Sequence, residues 1–544
     1  MAFTNAPEGS THQVKRLPIY GGETIASNVF VGTAQTATPT YQGQRYINCY
    51  PKRIELTNTD DQWVLTKCPP IAPEQKTFTG SGTDPINCIS SDGSYIWKGR
   101  RLYRNDLSPV LVYTDANDLV VKSMFTAVNP SGTDVLYAGI VKDRTTNTMH
   151  SFTFNAGTTT FTKSASISYL ETSEDTPFQS VFYNGRLFAI GNDARIYNTP
   201  AGNYTSWSTV NFIVPEVRGD SVVAITLYRN YLVAFSTNSI EFFQDGAIEL
   251  GSPLVRQDAY ISLFGIKLAQ NIAQTGDVIY FLSYEDRTGY GLYVIDNFSP
   301  KKISNFYVDT ILNNEDVVGS QPFSTVLNIA DFYGDPCLLF NIGFAQALYF
   351  DTGYVDDVYV FATGTNAGYP YISYSFKQRQ WFDFTFSQNN AYDWSILPQK
   401  PGFMQLSPNN LNGVWKTYIV SSYGASGVVN FYSFTKDYNS IYSSVSEMVF
   451  DSTDFGVFNW KHIKSVDAVG DFGNNSVELA WTPNKDYSNW SNYVARQQST
   501  LGYKNALRWP NLGRHRSSAF RVRFSGTSNI MFNGLEVKYN LGTV

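Results

Sequence analysis

The sequence YRNYLVAFSTNSIEFFQDGAIELGSPLVRQDAYISLFGIKLAQNIAQTGDVIYFLSYEDRTGYGLYVI (residues 228–295) contains one hairpin pattern twice. The first copy has two runs rich in β-branched and aromatic residues, at 231–235 and 240–243, separated by a polar break. The second copy repeats this pattern with runs at 278–283 and 291–295. The copies lie about 45 residues apart, which is the sequence period of β-propeller blades.

The same hairpin pattern recurs on both sides of this stretch. Each copy has a Gly, Asn or Asp turn, a strand, a polar break and a second strand that contains Tyr or Phe. Successive copies start roughly 36 to 57 residues apart, close to the length of a four-stranded blade. We therefore predict a β-propeller of roughly six to eight blades, with a large sandwich or a β-solenoid of hairpins as the alternative folds. The further copies lie at residues 91–106, 132–155, 183–199, 332–352, 368–385 and 415–434.

The composition supports a nearly all-β protein with more than one domain. The chain has 544 residues, of which 43% are hydrophobic and 16% aromatic, so it can bury a large core. Charged residues make up only 16%, below the share of roughly 25% that is typical of soluble domains. Tyr and Phe favour half-buried pleated surfaces, and long segments of helical period are absent.

Charge and cysteine content exclude several classes of protein. The net charge of −6 argues against a protein that coats nucleic acid. Four cysteines, Cys49, Cys68, Cys88 and Cys337, are too few for a disulfide scaffold, and their spacing fits no zinc site. We interpret them as reduced thiols of a cytosolic fold. The sequence has neither a signal-peptide pattern nor a long apolar stretch, so we expect no membrane insertion.

The character of the sequence changes along the chain and predicts four regions. Residues 1–45 are polar and predict a flexible N-terminal arm. Residues 46–80 contain RYINCYPKRIEL and WVLTKCPPI, which we interpret as two strands leading into the first blade. The propeller is predicted at 81–437. Residues 438–544 alternate between apolar and polar residues, which is typical of an antiparallel β-sandwich or barrel.

A series of short motifs resembles the packaged-DNA stabilisation proteins of short-tailed bacteriophages, a family of tail hubs or nozzles. The motifs occur in the order expected for that family and cover about two thirds of the chain. Two positions depart from the family pattern: Phe281-Leu282 stands in place of Trp-Leu, and Pro70 stands in place of Gly. The matching segments are NCYP…LTKCPPI, YLVAFSTNSIEFFQDG, GSPLVRQDAYISLFGI, GDVIYFLSYEDRTGYGLYVI, SPKKIS, SYSFKQRQWFDFT and RWPNLGRHR.

This resemblance implies a structural virion protein. Members of the family form homo-hexameric rings below the portal and adaptor proteins, which connect head and tail. They close the head, stabilise packaged DNA and line the channel by which double-stranded DNA leaves. They also anchor fibres, spikes or a needle. The resemblance therefore implies a protein of the virion tail, assembled in the cytoplasm of the bacterial host, and not an enzyme.

A carbohydrate-binding or carbohydrate-cleaving propeller of a tail appendage is the main alternative. Glycosidases need two carboxylates about 5–9 Å apart, and Glu241, Asp258, Glu285 and Asp286 are the candidates. Asp is common at turns for conformational reasons, which weakens this assignment. The sequence contains no nucleophile elbow and no phosphate-binding glycine loop, so we predict no catalytic residue, no cofactor and no metal site. A scaffold propeller that binds peptides is a third hypothesis.

A basic run near the C-terminus is the strongest candidate for a binding site. No carboxylate occurs between residues 488 and 535. Pro510, Asn511 and Gly513 predict a loop around Trp509. The run is interpreted as a docking surface for an acidic partner, as a DNA-facing surface, or as a solvated strand face. Docking is favoured over DNA, because many phosphate contacts would hold DNA in the channel. Its seven cations are Arg496, Lys504, Arg508, Arg514, Arg516, Arg521 and Arg523.

Overall fold

The structure is a computed structural model, and 24 segments of the chain are described here. They are residues 13–19, 45–54, 62–79, 86–106, 108–129, 132, 134–171, 179–215, 217–248, 251–275, 278–285, 289–304, 306–313, 326–331, 336–341, 371–375, 380–384, 402–409, 414–420, 428–434, 446–453, 459–483, 490–497 and 506–541.

Five strands precede the first propeller hairpin, and they belong to three different sheets. They are β1 (Gln13–Pro18), β2 (Arg45–Ile47), β3 (Cys49–Ile54), β4 (Gln62–Lys67) and β5 (Ile71–Thr77).

The next 27 strands form consecutive antiparallel hairpins. The first three groups of four are β6 (Ile86–Ile89), β7 (Tyr95–Lys98), β8 (Arg101–Arg104), β9 (Val110–Thr114), β10 (Leu119–Ala127), β11 (Leu136–Asp143), β12 (Thr148–Asn155), β13 (Thr160–Lys163), β14 (Ser180–Tyr183), β15 (Arg186–Ile190), β16 (Ile196–Asn198) and β17 (Phe212–Ile213). The next two groups are β18 (Val222–Tyr228), β19 (Tyr231–Ser236), β20 (Ile240–Asp245), β21 (Leu254–Arg256), β22 (Ile272–Thr275), β23 (Val278–Glu285), β24 (Gly289–Asp296) and β25 (Ser299–Lys302). The remaining strands are β26 (Val326–Asp331), β27 (Pro336–Asn341), β28 (Tyr371–Ser375), β29 (Gln380–Phe384), β30 (Gly402–Asn409), β31 (Val414–Val420) and β32 (Val428–Phe434).

Helical structure is sparse in the described part of the chain. Two 3₁₀ turns, Asp258–Tyr260 and Ala269–Asn271, connect β21 to β22. The helix α1 (Phe306–Asn313) follows β25, and its Val308 and Leu312, one turn apart, are buried against neighbouring blades.

Seven strands end the described chain. They are β33 (Ser446–Thr453), β34 (Lys461–Asp471), β35 (Ser476–Pro483), β36 (Val494–Gln497), β37 (Ala506–His515), β38 (Ser518–Ser525) and β39 (Met531–Leu541).

The predicted all-β fold with a propeller is confirmed. Five four-stranded antiparallel sheets follow one another from β6 to β25, and β26 to β29 form a sixth set of four. The described residues contain one further set, in which β30, β31 and β32 pair in turn and β5 adds the fourth strand. A strand from the N-terminal side therefore completes the last of seven blades, which ties the two ends of the propeller together.

The blades pack through alternating apolar side chains and through contacts between their first strands. Blades three and four, for example, share a core in which Val181, Phe188, Val222 and Leu232 are buried. Polar contacts join the first strands of blades two and three: Lys122 Nζ donates to Gln179 Oε1 at 2.9 Å, and Ser123 bonds Ser180. All four of these polar side chains are buried. Buried polar contacts thus join blades two and three in addition to their apolar packing.

The C-terminal strands form a β-sandwich. One sheet has the order β3-β4-β39-β34-β37, with β1 also pairing β39, and we call it the terminal sheet. The other contains β33, β38, β35 and β36, and it continues through β2 into β29 of the sixth blade. Phe520 and Val522 of one sheet meet Val466 and Val537 of the other in a single core.

The N-terminal segments pair differently from what the sequence predicts. A flexible arm is predicted at 1–45, but residues 13–18 form β1 on the edge of the terminal sheet. The strands predicted to lead into the first blade have other partners, since β3 and β4 lie in the sandwich and β5 in the last blade. These pairings span most of the chain, so local sequence pattern does not reveal them. The predicted boundaries at 45, 80 and 437 remain predictions.

The propeller is consequently inserted into the sandwich. The chain leaves the sandwich after β4 and returns at β33, and both points contact the same residue. The backbone N–H of Cys68 and the hydroxyl of Ser446 each donate to the carbonyl oxygen of Asn48 at 2.9 Å. Asn48 is buried and has a φ of 54°, a left-handed conformation that Asn tolerates, and it redirects the chain from β2 into β3.

Candidate docking surface on the β-sandwich

The loop predicted around Trp509 is instead the continuous strand β37. Trp509 points into the sandwich core, and its indole N–H donates to the carbonyl oxygen of Val494 at 2.6 Å. The strand accommodates Pro510 because it lies at a sheet edge and is irregular at Asn511 and Gly513, whose φ angles are 57° and 99°.

The seven predicted cations do not form one patch. Arg496 lies on β36, Arg508 and Arg514 on β37, and Arg516 in the turn that follows. Arg521 and Arg523 lie on β38. Lys504 lies outside the described residues, so its role stays a prediction.

Arg521 and Arg523 of β38 serve the internal structure of the sandwich. Both bind Glu447 of β33, with Nε to carboxylate distances of 3.4 and 3.2 Å. Their guanidinium groups also lie over aromatic rings, at 4.6 Å from Trp490 and 3.9 Å from Tyr493. The side chain of Arg521 is only 7% exposed, so it is poorly accessible to a partner.

Arg508 is also engaged by an acid, although its side chain is 61% exposed. Its Nε and Nη2 donate to the two carboxylate oxygens of Asp467 at 2.9 and 2.8 Å, a bidentate arrangement. Lys538 Nζ donates to the same carboxylate at 2.9 Å. Burial alone would raise the pKa of Asp467, but these hydrogen bonds outweigh it and hold the pKa below its ordinary value.

Strand register extends this pair into a charge ladder on the outer face of the terminal sheet. Arg508 lies opposite Asp467, Asp467 opposite Glu536, and Glu536 opposite Arg16 of β1. Arg16 donates to Glu536 Oε1 at 2.6 Å. The residues predicted from the sequence for this surface do not include Arg16, Asp467, Glu536 or Lys538. The period-two alternation places the last three on a polar face, but nothing local places β1 beside them.

One end of this face carries a group of outward-facing basic residues. Arg514 is exposed and lies directly opposite His462, and Lys464 follows in the adjacent irregular stretch of β34. Within the described segments, neither Arg514 nor Lys464 forms an ion pair. Arg516 is exposed and lies 5.1 Å from the ring of Trp460, which orients its guanidinium group. We call Lys464, Arg514 and Arg516 the cationic end.

Arg496 lies near Arg508, and its guanidinium group is directed at the backbone. It is exposed, and its Nε donates to the carbonyl oxygen of Arg508 at 3.4 Å. It therefore bridges β36 and β37, the edge strands of the two sheets, as the indole of Trp509 also does. The surface as a whole can attract anions and offers flat, pre-oriented donors, which is the chemistry of docking.

Two of the carboxylates considered for catalysis, Glu241 and Asp258, are joined through Arg256, and a third lies in the next blade. Glu241 is buried and contacts Arg256, whose Nε also binds Asp258 at 2.8 Å. Glu285 lies in the next blade and accepts a long hydrogen bond of 3.5 Å from Tyr293. Asp286 lies outside the described residues. The described part of the chain brings no three potential metal ligands together. It also contains no helix long and apolar enough to cross a bilayer.

One protein family matches part of this chain. Residues 135–352 match the phage stabilisation family described as "Bacteriophage P22 Gp10, beta-propeller". No curated protein matches the chain. The matched segment lies within blades two to six, and the sandwich strands are all outside it.

Solved structures that resemble the chain do so distantly. An exo-β-1,3-galactanase from Phanerochaete chrysosporium with galactose has 9% identity and a TM-score of 0.23, covering 91% of this chain and 96% of that one. The WD40 domain of SCAP from fission yeast has 10% identity and a TM-score of 0.36, covering 78% and 98%. The WD40 domain of Neurospora crassa Pan2 has 6% identity and a TM-score of 0.34, covering 64% and 89%. At such scores these likenesses do not bear on function.

The matched segment includes the motifs quoted above from β19 to β25. The motifs and the match therefore point to the same family. The resemblance predicted from the sequence is therefore confirmed over residues 135–352, which match the bacteriophage P22 Gp10 family of stabilisation proteins, a β-propeller family.

Proposed function

We propose that this protein is a subunit of a homo-hexameric tail ring in a short-tailed phage, which closes the head, stabilises packaged DNA and lines its exit channel. The family match over residues 135–352 is the observation that carries this proposal. The proposed neighbours are the portal or adaptor ring on one side and fibres, spikes or a needle on the other. In this proposal the protein is assembled in the host cytoplasm and resides in the tail.

We propose that DNA runs between the subunits of the ring and not through the propeller of one subunit. Lys122, Ser123, Gln179 and Ser180 are buried and bonded to each other between blades two and three. A duplex could not pass there without separating these blades. In this proposal, the bonds between these blades stay intact while DNA passes through the opening enclosed by the subunits, along their outer surfaces.

We propose that the cationic end docks on an acidic surface of the adjoining tail or connector protein. Arg is suited to bidentate recognition of carboxylates, and Arg516 is held in place by Trp460. Acids of the same subunit already engage Arg508, Arg521 and Arg523, so the outward-facing cations offered to a partner are few. So small a group fits the docking of one protein surface better than the tracking of a DNA backbone, which needs many phosphate contacts.

Charge reversal at Arg514 and Arg516 tests this proposal. In phage particles that carry Arg514→Glu/Arg516→Glu, we expect at least a tenfold loss of attached tails, with leakage of packaged DNA, while the subunit stays folded. Exposed substitutions usually change stability by less than about 0.5 kcal/mol. The double variant Arg218→Glu/Lys267→Glu, exposed on the propeller, is the matched control and should attach normally. Normal attachment with a salt-sensitive change in DNA ejection would refute docking and favour a DNA-facing role.

We further propose that the protein has no hydrolytic activity. Arg256 contacts both Glu241 and Asp258, which fits a structural ion-pair network. Purified protein incubated with host capsule, lipopolysaccharide or peptidoglycan is expected to release no reducing sugar above a heat-denatured control. Sugar release that disappears in Glu241→Gln or Glu285→Gln would refute this expectation.

A further inference from the structure

The strand β1 binds along one edge of β39, at a site that fits it closely, and we call this site the seat. The strand pairs with β39 along six residues and buries Leu17, with Ile19 just beyond it, in the sandwich core. Gly534 of β39, with a φ of 126°, allows this close approach. A Cβ atom at position 534 would lie 2.3 Å from the carbonyl oxygen of Leu17, too close for any real contact. The seat therefore requires glycine at this position.

The attachment of β1 to its own subunit is otherwise slight. It is an edge strand whose hydrogen-bonded ladder in the described residues is formed with β39 alone. The side chains of residues 13–16 are exposed, and the Arg16–Glu536 ion pair is at the surface. Exposed ion pairs contribute little stability, so most of the binding comes from Leu17, Ile19 and the backbone ladder. The strand can therefore leave and return without disturbing another pairing.

The chain between β1 and the rest of the sandwich is much longer than a link within one sandwich requires. Residues 20–44 separate Ile19 from β2. A connection of this length can span up to about 80 to 90 Å when fully extended. The two sheets of a sandwich are only about 10 Å apart, and most connections in compact domains have roughly 2 to 8 residues.

We propose that β1 is exchanged between neighbouring copies of this chain, so that each subunit seats its β1 on the β39 of the next. The proposal rests on the ring proposed above. An exchanged strand makes the same contacts with Gly534, Glu536 and the core as its own strand would, so exchange costs no interaction. Within a ring, the neighbouring seat is present at high effective concentration, which favours its occupation.

A disulfide between opposed positions tests where β1 is seated. Arg16 and Glu536 face each other across the ladder, at a spacing that suits a disulfide. The variant Arg16→Cys/Glu536→Cys would be assembled, sized by native mass spectrometry and oxidised. The four native cysteines are buried and should not compete. Exchange predicts covalent oligomers of up to six chains on a non-reducing denaturing gel.

The other outcomes of the disulfide experiment show whether strand exchange alone is wrong or whether the proposed ring is wrong as well. A mass near six times 61.0 kDa with only intramolecular disulfides would refute the exchange and leave the ring intact. A ring that forms no disulfide at all would also refute it. A protein that stays at 61.0 kDa at all concentrations would refute the ring, and the exchange with it.

Mixed assemblies give a second, independent measurement. One partner lacks residues 1–19 and so has an empty seat, and the other carries Gly534→Ala, which has β1 but blocks its own seat. Exchange predicts that β1 of the Gly534→Ala copy occupies the seat of the truncated copy. With Arg16→Cys placed in the Gly534→Ala copy and Glu536→Cys in the truncated copy, the two introduced cysteines should then form a disulfide between the copies. Absence of this mixed disulfide would overturn the proposal.

Discussion

Residues 446–544 expressed alone are expected to remain unfolded, because many of their partners lie at the other end of the chain. The terminal sheet is completed by β3 and β4, which contribute the fully buried Tyr50 and Leu65 to the core. Burying one large apolar side chain contributes about 1.5 to 3 kcal/mol. Loss of several such side chains is comparable to the whole stability of a domain, about 5 to 15 kcal/mol. Circular dichroism and proteolysis would measure the outcome.

A fusion that omits the propeller is the matched control. Residues 1–68 and 446–544 can be joined by a short Gly-Ser linker, because Cys68 and Ser446 both contact Asn48. This fusion should fold cooperatively, with strand-rich circular dichroism and resistance to protease. If residues 446–544 alone were as resistant as the fusion, the dependence on the N-terminal strands would be wrong.

Gly139→Ala is expected to destabilise the propeller strongly. Gly139 lies in β11, beside an irregularity in β10 that turns Ser123 towards the next blade. A Cβ atom at position 139 would lie 1.9 Å from the carbonyl oxygen of Ser123, which is backbone held in a sheet and cannot yield cheaply. Forced overpacking of this kind costs about 3 kcal/mol. We expect the melting temperature of the full chain to fall by about 3 to 4 °C.

The same substitution at Gly246 provides the comparison. There the new Cβ atom would lie 2.6 Å from Cγ2 of Val255, a partly exposed side chain that can rotate away. Differential scanning calorimetry should therefore show a much smaller effect for Gly246→Ala than for Gly139→Ala. Similar shifts for the two variants would mean that the β10–β11 pair adjusts more freely than its geometry indicates.

The propeller could be predicted from the sequence because its strands pair with their immediate neighbours. The runs predicted at 231–235 and 240–243 correspond to β19 and β20, which differ from them by at most two residues at one end. Hairpin pairing is local, so turn residues and β-branched runs contain most of the information it needs.

The sandwich could be predicted only in part, because its pairings are non-local. The alternation in residues 438–544 correctly indicates strands that are buried on one face. It cannot indicate that β39 pairs with β1 and β4, hundreds of residues earlier. The sequence therefore predicts a sandwich or barrel built from the C-terminal region alone, whereas the structure is a sandwich that adds β1 to β4 from the N-terminal side.

The basic run illustrates the same limit for a site. Counting charges between residues 488 and 535 finds seven cations and no acid. The acids that engage Arg508, Arg521 and Arg523 are Asp467 and Glu447, which lie outside that window. Folding therefore leaves a smaller outward-facing group of cations than the sequence indicates, and it adds Lys464 from the neighbouring strand.

The contacts of Cys68 and Ser446 with Asn48 mark the points where the propeller is inserted into the sandwich, and this insertion sets the order in which the two parts can fold on the ribosome. The nascent chain emerges with β1 to β4 first, but the strands that complete their sheet are translated last. The propeller between them can fold from local hairpins while translation continues. The sandwich, and with it the cationic end, then forms only after the final strands are released. A prematurely terminated chain would carry a folded propeller yet lack the surface proposed for docking, so only full-length subunits would enter a growing particle.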